Sequence, residues 1–149
     1  MYPDSDVVPL SVAEIQDALL AFNGRHLPYR VRQAGFGEAA DYVAEWCIQT
    51  HEEGQRVERR IKIRMRLDPS RREVRGFQEQ RTSARGGLSM SHEYSRGGGF
   101  AVRWTYERGP DGRRQKVVSL DTRDMRNALR ELFLSSGWTW RGVSKAAEL

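Results

Sequence analysis

The sequence predicts an α+β domain in which an antiparallel sheet of about six or seven strands is flanked by an N-terminal and a C-terminal amphipathic helix. Apolar residues recur at helical spacing near each end of the chain, and between these stretches they alternate with polar residues in segments separated by turns. Consecutive strands between helices are typical of α+β proteins. The 149 residues are about one domain in length, so we expect a single domain, 1–149, with fraying tails at 1–10 and 144–149.

The first helix begins at a capping box. Ser11 is spaced to accept a hydrogen bond from the Glu14 N–H, while the Glu14 carboxylate returns to the Ser11 N–H. Asn23-Gly24 supplies a left-handed stop. The pattern therefore predicts a helix from about residue 12 to residue 22. Its apolar face consists of Val12, Ile15, Ala18, Leu19 and Phe22.

Alternation then predicts strands at 29–32, 41–50, 60–67 and 72–80. The third strand has the strictest pattern, with one apolar face and one wholly basic face. A turn at 68–70 makes the fourth strand return antiparallel to it. Because Val74 and Phe77 have opposite parity, we expect a bulge at Gly76 that returns Phe77 to the core.

Residues 82–99 show no periodicity and are rich in glycine, which predicts a long flexible loop. Alternation resumes at 100–107 and, after a Gly-Pro-Asp-Gly turn, at 116–120, which predicts a hairpin. Asp121 or Thr122 is expected to cap a second helix that Gly137 ends, followed by a short last strand. The apolar face of this helix consists of Met125, Ala128, Leu129, Leu132 and Phe133.

The charge balance favours anionic partners. The chain has 25 basic and 20 acidic residues, and its net charge is +5. No stretch approaches the ~20 apolar residues that span a bilayer, so we expect no membrane partner. The single cysteine, Cys47, cannot form an intramolecular disulfide, and we expect it to be buried and unreactive in a cytoplasmic protein.

The sequence contains no recognisable catalytic or metal-binding motif. His26, His51 and His92 have no metal-ligand spacing, and the glycines at 97–99 precede a strand rather than the helix that a phosphate loop needs. We therefore expect no metal and no cofactor. Whether the protein is an enzyme stays open, and we lean towards one that is not.

The basic face of the third strand is the first candidate site. A row of cations can follow the phosphates of a nucleic acid, which makes this face a candidate nucleic-acid interface. Glu73 and Glu79 on the neighbouring strand would instead pair with the cations and leave a solvated ladder. The candidate residues are Arg60, Lys62, Arg64 and Arg66.

The predicted loop at 82–99 is the second candidate site. Loops on a rigid scaffold often carry binding residues, and this one holds charged and aromatic side chains that suit a small ligand. The candidate ligand-binding residues are Arg85, His92, Glu93, Tyr94 and Arg96. An active site assembled from the same residues is the alternative.

Several segments resemble a set of small uncharacterised bacterial proteins. They are Val43-Ala44-Glu45-Trp46, Arg66-Leu67-Asp68 with Glu73-Val74-Arg75, and above all Gly137-Trp138-Thr139-Trp140-Arg141-Gly142-Val143. The resemblance spans about residues 10–143 and implies a bacterial origin and a shared α+β fold. It brings no established activity or site residue.

We interpret the chain as a non-enzymatic ligand-binding or protein-interaction module. The alternatives are a nucleic-acid-binding protein that uses the basic face and an enzyme with a site at 82–99. A last strand at a sheet edge would also allow pairing with a second copy, so a homodimer is a further hypothesis.

Overall fold

The structure is a computed structural model that describes most of the chain. The backbone is described for residues 1–24, 27–52, 54–86, 89–96, 102–108, 114–121 and 123–149, and the side chains for 1–24, 27–51, 54–85 and 123–149. Within these ranges lie helices α1 (Val12–Ala21) and α2 (Asp124–Ser135). The strands are β1 (Tyr29–Gln33), β2 (Tyr42–Glu52), β3 (Gln55–Asp68), β4 (Glu73–Gly86), β5 (Ser89–Arg96), β6 (Val102–Arg108), β7 (Arg114–Asp121) and β8 (Thr139–Val143). The predicted α+β class is confirmed.

The main sheet is mostly antiparallel, but its strand count differs from the prediction. β1 to β5 lie side by side in chain order, each antiparallel to the next, and β8 joins β4 in parallel. β6 and β7 pair with each other in a separate sheet. One antiparallel sheet of six or seven strands was therefore wrong, since the antiparallel path has five strands. The hairpin pattern gave no sign that β8 would return to β4 in parallel.

Most residues of the expected loop at 82–99 belong to strands. Residues 82–86 continue β4 and residues 89–96 form β5, while 87–88 and 97–99 lie outside the described residues. β3 is 14 residues long, and the backbone groups near its N-terminal end need hydrogen-bond partners. Residues 82–85 of β4 supply them by pairing with residues 56–59 of β3. The loop expectation failed because strands with few apolar residues lack the alternation by which strands are recognised.

Both helices cover the same face of the main sheet, which we call the helix face. Ile15 of α1 and Leu129 of α2 share one buried core with Ile63 of β3 and Val74 of β4. The opposite face, on which the predicted basic stripe lies, is called the basic face. Residues of β3 alternate between the two, as the sequence predicts.

Phe77 stays on the basic face. β3 and β4 pair without a register shift, so the bulge expected at Gly76 is absent from this ladder. Phe77 is nevertheless fully buried, and the guanidinium carbon of Arg64 lies 5.1 Å from its ring centroid. Val43 and Val143 occupy the same row across the sheet. The expectation was wrong because a guanidinium and flanking valines can bury an aromatic ring on a polar face.

The first ten residues, which we expected to fray, are hydrogen-bonded at both ends, Leu10 to the segment between α2 and β8 and Met1 to β8 itself. The Leu10 N–H donates to the Ser136 carbonyl at 2.9 Å, and Trp138 Nε1 donates to the Leu10 carbonyl at 2.8 Å. The Trp140 N–H donates to the Met1 carbonyl at 2.9 Å, and the Met1 amino group donates to the Trp140 carbonyl at 2.8 Å. The outer edge of β8, on which the homodimer hypothesis rested, is thus occupied at Trp140.

The two helices begin differently. Ser11 and Glu14 form the predicted capping box of α1. The N-cap of α2 is Arg123, without a side-chain cap hydrogen bond, rather than Asp121, and Thr122 lies outside the described part of the chain. Neither of the two described helices has the length and apolar character needed to cross a membrane.

Candidate functional site

Two of the predicted cations on the basic face are paired with carboxylates from other parts of the fold. Lys62 Nζ lies 2.7 Å from Glu38 Oε2, and Arg64 pairs with Glu79 of β4. The Arg64 and Glu79 side chains are only 16% and 14% exposed. A phosphate approaching these cations would have to displace carboxylates that already neutralise them.

The two outer cations of the stripe are more exposed. Arg60 pairs along its own strand with Glu58, with Nε 2.5 Å from Oε1. Arg66 lies opposite Arg75 of β4, which in turn aligns with Arg141 of β8. Glu73 pairs with Arg75 at 3.2 Å and with Arg141 at 3.8 Å. Of the four stripe cations, Arg66 alone has no carboxylate partner among the described residues.

Glu38, in the segment between β1 and β2, holds the middle of this ladder together. Its carboxylate accepts hydrogen bonds from Arg32 at 2.6 and 2.9 Å and from the Gly35 N–H at 2.6 Å, besides the Lys62 pair. The Arg32 guanidinium, followed by Lys62, holds the pKa of Glu38 well below its ordinary value. The same pairing raises the pKa of Arg32. These groups stay charged and bind one another.

The second candidate set lies beside the first. Arg85 is an exposed residue of β4, and the other four belong to β5. In register, His92 lies opposite Ser83, Glu93 opposite Thr82, Tyr94 opposite Arg81 and Arg96 opposite Glu79. The side chains of these four β5 residues lie outside the described ones. The fold thus places the first set on β3 and the second on β4 and β5 of the same sheet.

A cavity of about 470 Å³ lies on the basic face next to Cys47. Cys47 is exposed, not buried as expected, because it has the parity of the basic face. Partial burial, followed by the Glu58 carboxylate, raises the pKa of its thiol, which makes it a weaker nucleophile at neutral pH. The cavity contains paired charges from Glu45, Arg60, Lys62 and Glu79.

The helix face contains a smaller cavity of about 230 Å³ next to Gln78. Gln78 is only 5% exposed, and within the described structure neither Nε2 nor Oε1 of its carboxamide has a hydrogen-bond partner. It sits at a break in the sheet, since β8 pairs with β4 up to Phe77 and β5 pairs with β4 from Glu79 onwards. The other lining residues are Ile63, Gly76, Arg126, Trp140, Gly142, Val143 and Ser144.

Two glycines in register line this cavity. Gly76 of β4 lies opposite Gly142 of β8. A Cβ at Gly76 would lie 2.7 Å from Trp140 Cζ2, so only glycine lets the indole ring lie against this strand. A Cβ at Gly142 would meet no atom within 4 Å. The indole ring thus takes up the space at Gly76, and the open space lies at Gly142, which is exposed.

Arg126 lines the cavity from the helix side. It is the third residue of α2, and its Nε is buried without a hydrogen-bond partner in the described structure. The cavity thus brings together a buried amide and a guanidinium next to apolar walls. Among the described residues, no group of three or more His, Cys, Asp or Glu side chains is arranged to hold a metal ion.

Comparison with protein-family models, curated proteins and solved structures gave no match for this chain. The resemblance to small bacterial proteins therefore stays a prediction.

Sequence reasoning missed the cavity. The available signal was Gln78, a polar residue with the same parity as Val74, at a position of β4 that faces the core. The remaining parts, Gly142 and Arg126, come together only because β8 returns beside β4 and α2 packs above them. Neither contact can be predicted from the spacing of residues within one segment of the chain.

Proposed function

We propose that this protein is a ligand-binding module that takes a small polar molecule into the cavity next to Gln78. The buried Gln78 carboxamide carries the proposal, because its donor and its acceptor both lack a partner in the described structure. An unsatisfied buried group costs about 1–3 kcal/mol, and native proteins contain few of them. A ligand that pairs with both atoms recovers this free energy in the bound state.

The size and lining of the cavity support a small ligand. Its volume of about 230 Å³ is below the ~300–1,000 Å³ typical of sites for drug-sized molecules. Ile63 and Trp140 supply apolar walls, whereas Gln78 and Arg126 supply polar groups. A mainly apolar cavity with a few convergent polar groups is typical of small-molecule sites.

Nucleic-acid binding through the basic face has weaker support. Arg60, Lys62 and Arg64 all have carboxylate partners, so three of the four candidate cations are already neutralised. The enzyme alternative depends on β5 side chains outside the described part of the chain. The proposed binding module therefore uses the helix face.

Replacement of Gln78 by methionine tests the proposal. Methionine keeps the length of the side chain but removes both amide atoms. We expect Gln78→Met to raise the free energy of unfolding of the ligand-free protein by about 1–3 kcal/mol, measured by urea denaturation. In NMR titrations with a panel of small alcohols, amides and carboxylates, the same variant should lose binding. Gln80→Met, on the same face but outside the cavity lining, is the matched control.

A second variant blocks the cavity but keeps the Gln78 carboxamide. Gly142→Met places a side chain at the exposed rim, where a Cβ meets no neighbour, so it should cover the opening of the cavity and block binding without loss of stability. If fragments shift the NMR signals of wild type and both variants equally, they bind elsewhere and the proposal is wrong. If no fragment binds while Gln78→Met is more stable, the cavity holds only water, and the proposal is equally wrong.

A further inference from the structure

We infer that the ligand of the Gln78 cavity is a small carboxylic acid, bound as its anion between Arg126 and Gln78; this inference rests on the proposed ligand-binding function. Both side chains line the same cavity from opposite sides, one from α2 and one from β4. Arg126 Nε and Gln78 Nε2 are donors, and both are buried without partners in the described structure. Two unpaired donors that line one cavity favour a ligand that carries a hydrogen-bond acceptor.

The position of Arg126 adds to the attraction for an anion. It lies in the first turn of α2, where the helix dipole favours negative charge. The N-cap, Arg123, makes no side-chain cap hydrogen bond, and Asp124 in the same turn is exposed. The helix end and the guanidinium therefore place positive potential on the same side of the cavity.

The geometry of the donors favours a carboxylate over a phosphate. A planar guanidinium and an amide N–H match the two oxygens of a planar carboxylate. A tetrahedral dianion needs further donors, whereas the walls at Ile63 and Trp140 are mainly apolar and the one side-chain hydroxyl of the lining is that of exposed Ser144. Gln78 Oε1 is left to accept from a hydroxyl or N–H of the same molecule. The ligand class is thus a compact acid with a hydrogen-bond donor and an apolar body.

A matched trio of probes tests this class on the full chain. Mandelate, mandelamide and 1-phenylethane-1,2-diol share an apolar body and a hydroxyl and differ in the group offered to Arg126; inorganic phosphate is the fourth probe. In NMR titrations we expect mandelate to bind most tightly. Arg126→Met should weaken mandelate binding roughly tenfold to a hundredfold and leave the amide and the diol unchanged.

Two further variants control for charge and folding. Arg126→Lys keeps the charge but loses the planar fork, so it should weaken mandelate less than Arg126→Met does. Arg130→Met removes an arginine one turn further along α2, whose Nε is also buried and unpaired in the described structure but which is not part of the cavity lining. We expect it to bind mandelate like wild type.

The outcomes separate the two claims. If the amide or the diol binds as tightly as the acid, if phosphate binds more tightly, or if Arg126→Met equals Arg130→Met, the carboxylate inference is overturned. The proposed function survives that result where binding still requires Gln78. If none of the four probes and no other fragment binds, both claims fall.

Discussion

Glu38 is a carboxylate of the basic face that pairs with cations from two different strands. It joins Arg32 of β1 to Lys62 of β3 and also accepts from the Gly35 N–H. Its side chain is 17% exposed, so solvent screens these pairs only in part. The carboxylate therefore contributes to stability as long as it is ionised.

Stability should fall in acid through Glu38. Because its folded pKa lies below its ordinary value of 4.5, the folded state binds fewer protons, and protonation favours the unfolded chain. Glu38→Gln should cost about 1–2 kcal/mol at neutral pH. This difference from wild type should be full above pH 4.5 and shrink as the pH falls further. Urea denaturation from pH 7 to pH 3 measures it, with exposed Glu131→Gln on α2 as the control. A difference that stays constant across this range would contradict the prediction.

At the scale of the elements, β1 is an edge strand of the main sheet, and a side chain pairs with part of its free edge. Asn23, in the short 3₁₀ turn after α1, lies against β1. Its Oδ1 accepts from the Val31 N–H at 2.9 Å, and its Nδ2 donates to the Val31 carbonyl at 2.8 Å. The amide thus takes the place of a neighbouring strand at Val31, which protects the edge from pairing with other chains.

Asn23→Ala should therefore destabilise the fold and open the edge. We expect a loss of about 1–2 kcal/mol in the free energy of unfolding, because both hydrogen bonds of Val31 are removed. Asn23→Asp keeps the acceptor and should lose less. Urea denaturation gives the stability, and light scattering after size-exclusion chromatography gives the association state. An alanine variant as stable and as monodisperse as wild type would show that the amide does not close this edge.

At the scale of the whole molecule, a count of the four cations in the basic stripe overstates the positive charge that this face offers to a partner. Carboxylates within the fold neutralise Arg32, Lys62 and Arg64. If all four stripe cations contacted the phosphates of a single-stranded nucleic acid, the logarithm of the binding constant would fall with the logarithm of the salt concentration with a slope of about −2.8.

We therefore expect weak binding to short DNA and RNA, with a shallower salt slope, in anisotropy measurements at about 50 and 200 mM salt. Arg66→Ser, at the stripe cation without a carboxylate partner among the described residues, should remove most of what binding there is. Tight binding that falls steeply with salt would instead restore the basic face as a nucleic-acid interface.

The features that could be predicted depend on neighbours in the chain. The capping box of Ser11 and Glu14 and the alternation of β3 are set within a few residues, and both are confirmed. β5 was missed because a strand with few apolar residues resembles a loop at that range. Gln78 was visible as a polar residue of core parity, but nothing nearby in sequence marks it as part of a cavity.

The sequence by itself determined the fold class, both helices, most strands and the side of the sheet that is basic, because each follows from periodicity or capping over a few residues. Only the tertiary structure decided that β8 lies parallel to β4, that Phe77 is buried under Arg64, and that Gln78 and Arg126 share a cavity. These contacts join residues far apart in the chain, and their free energy comes from packing that no local pattern encodes.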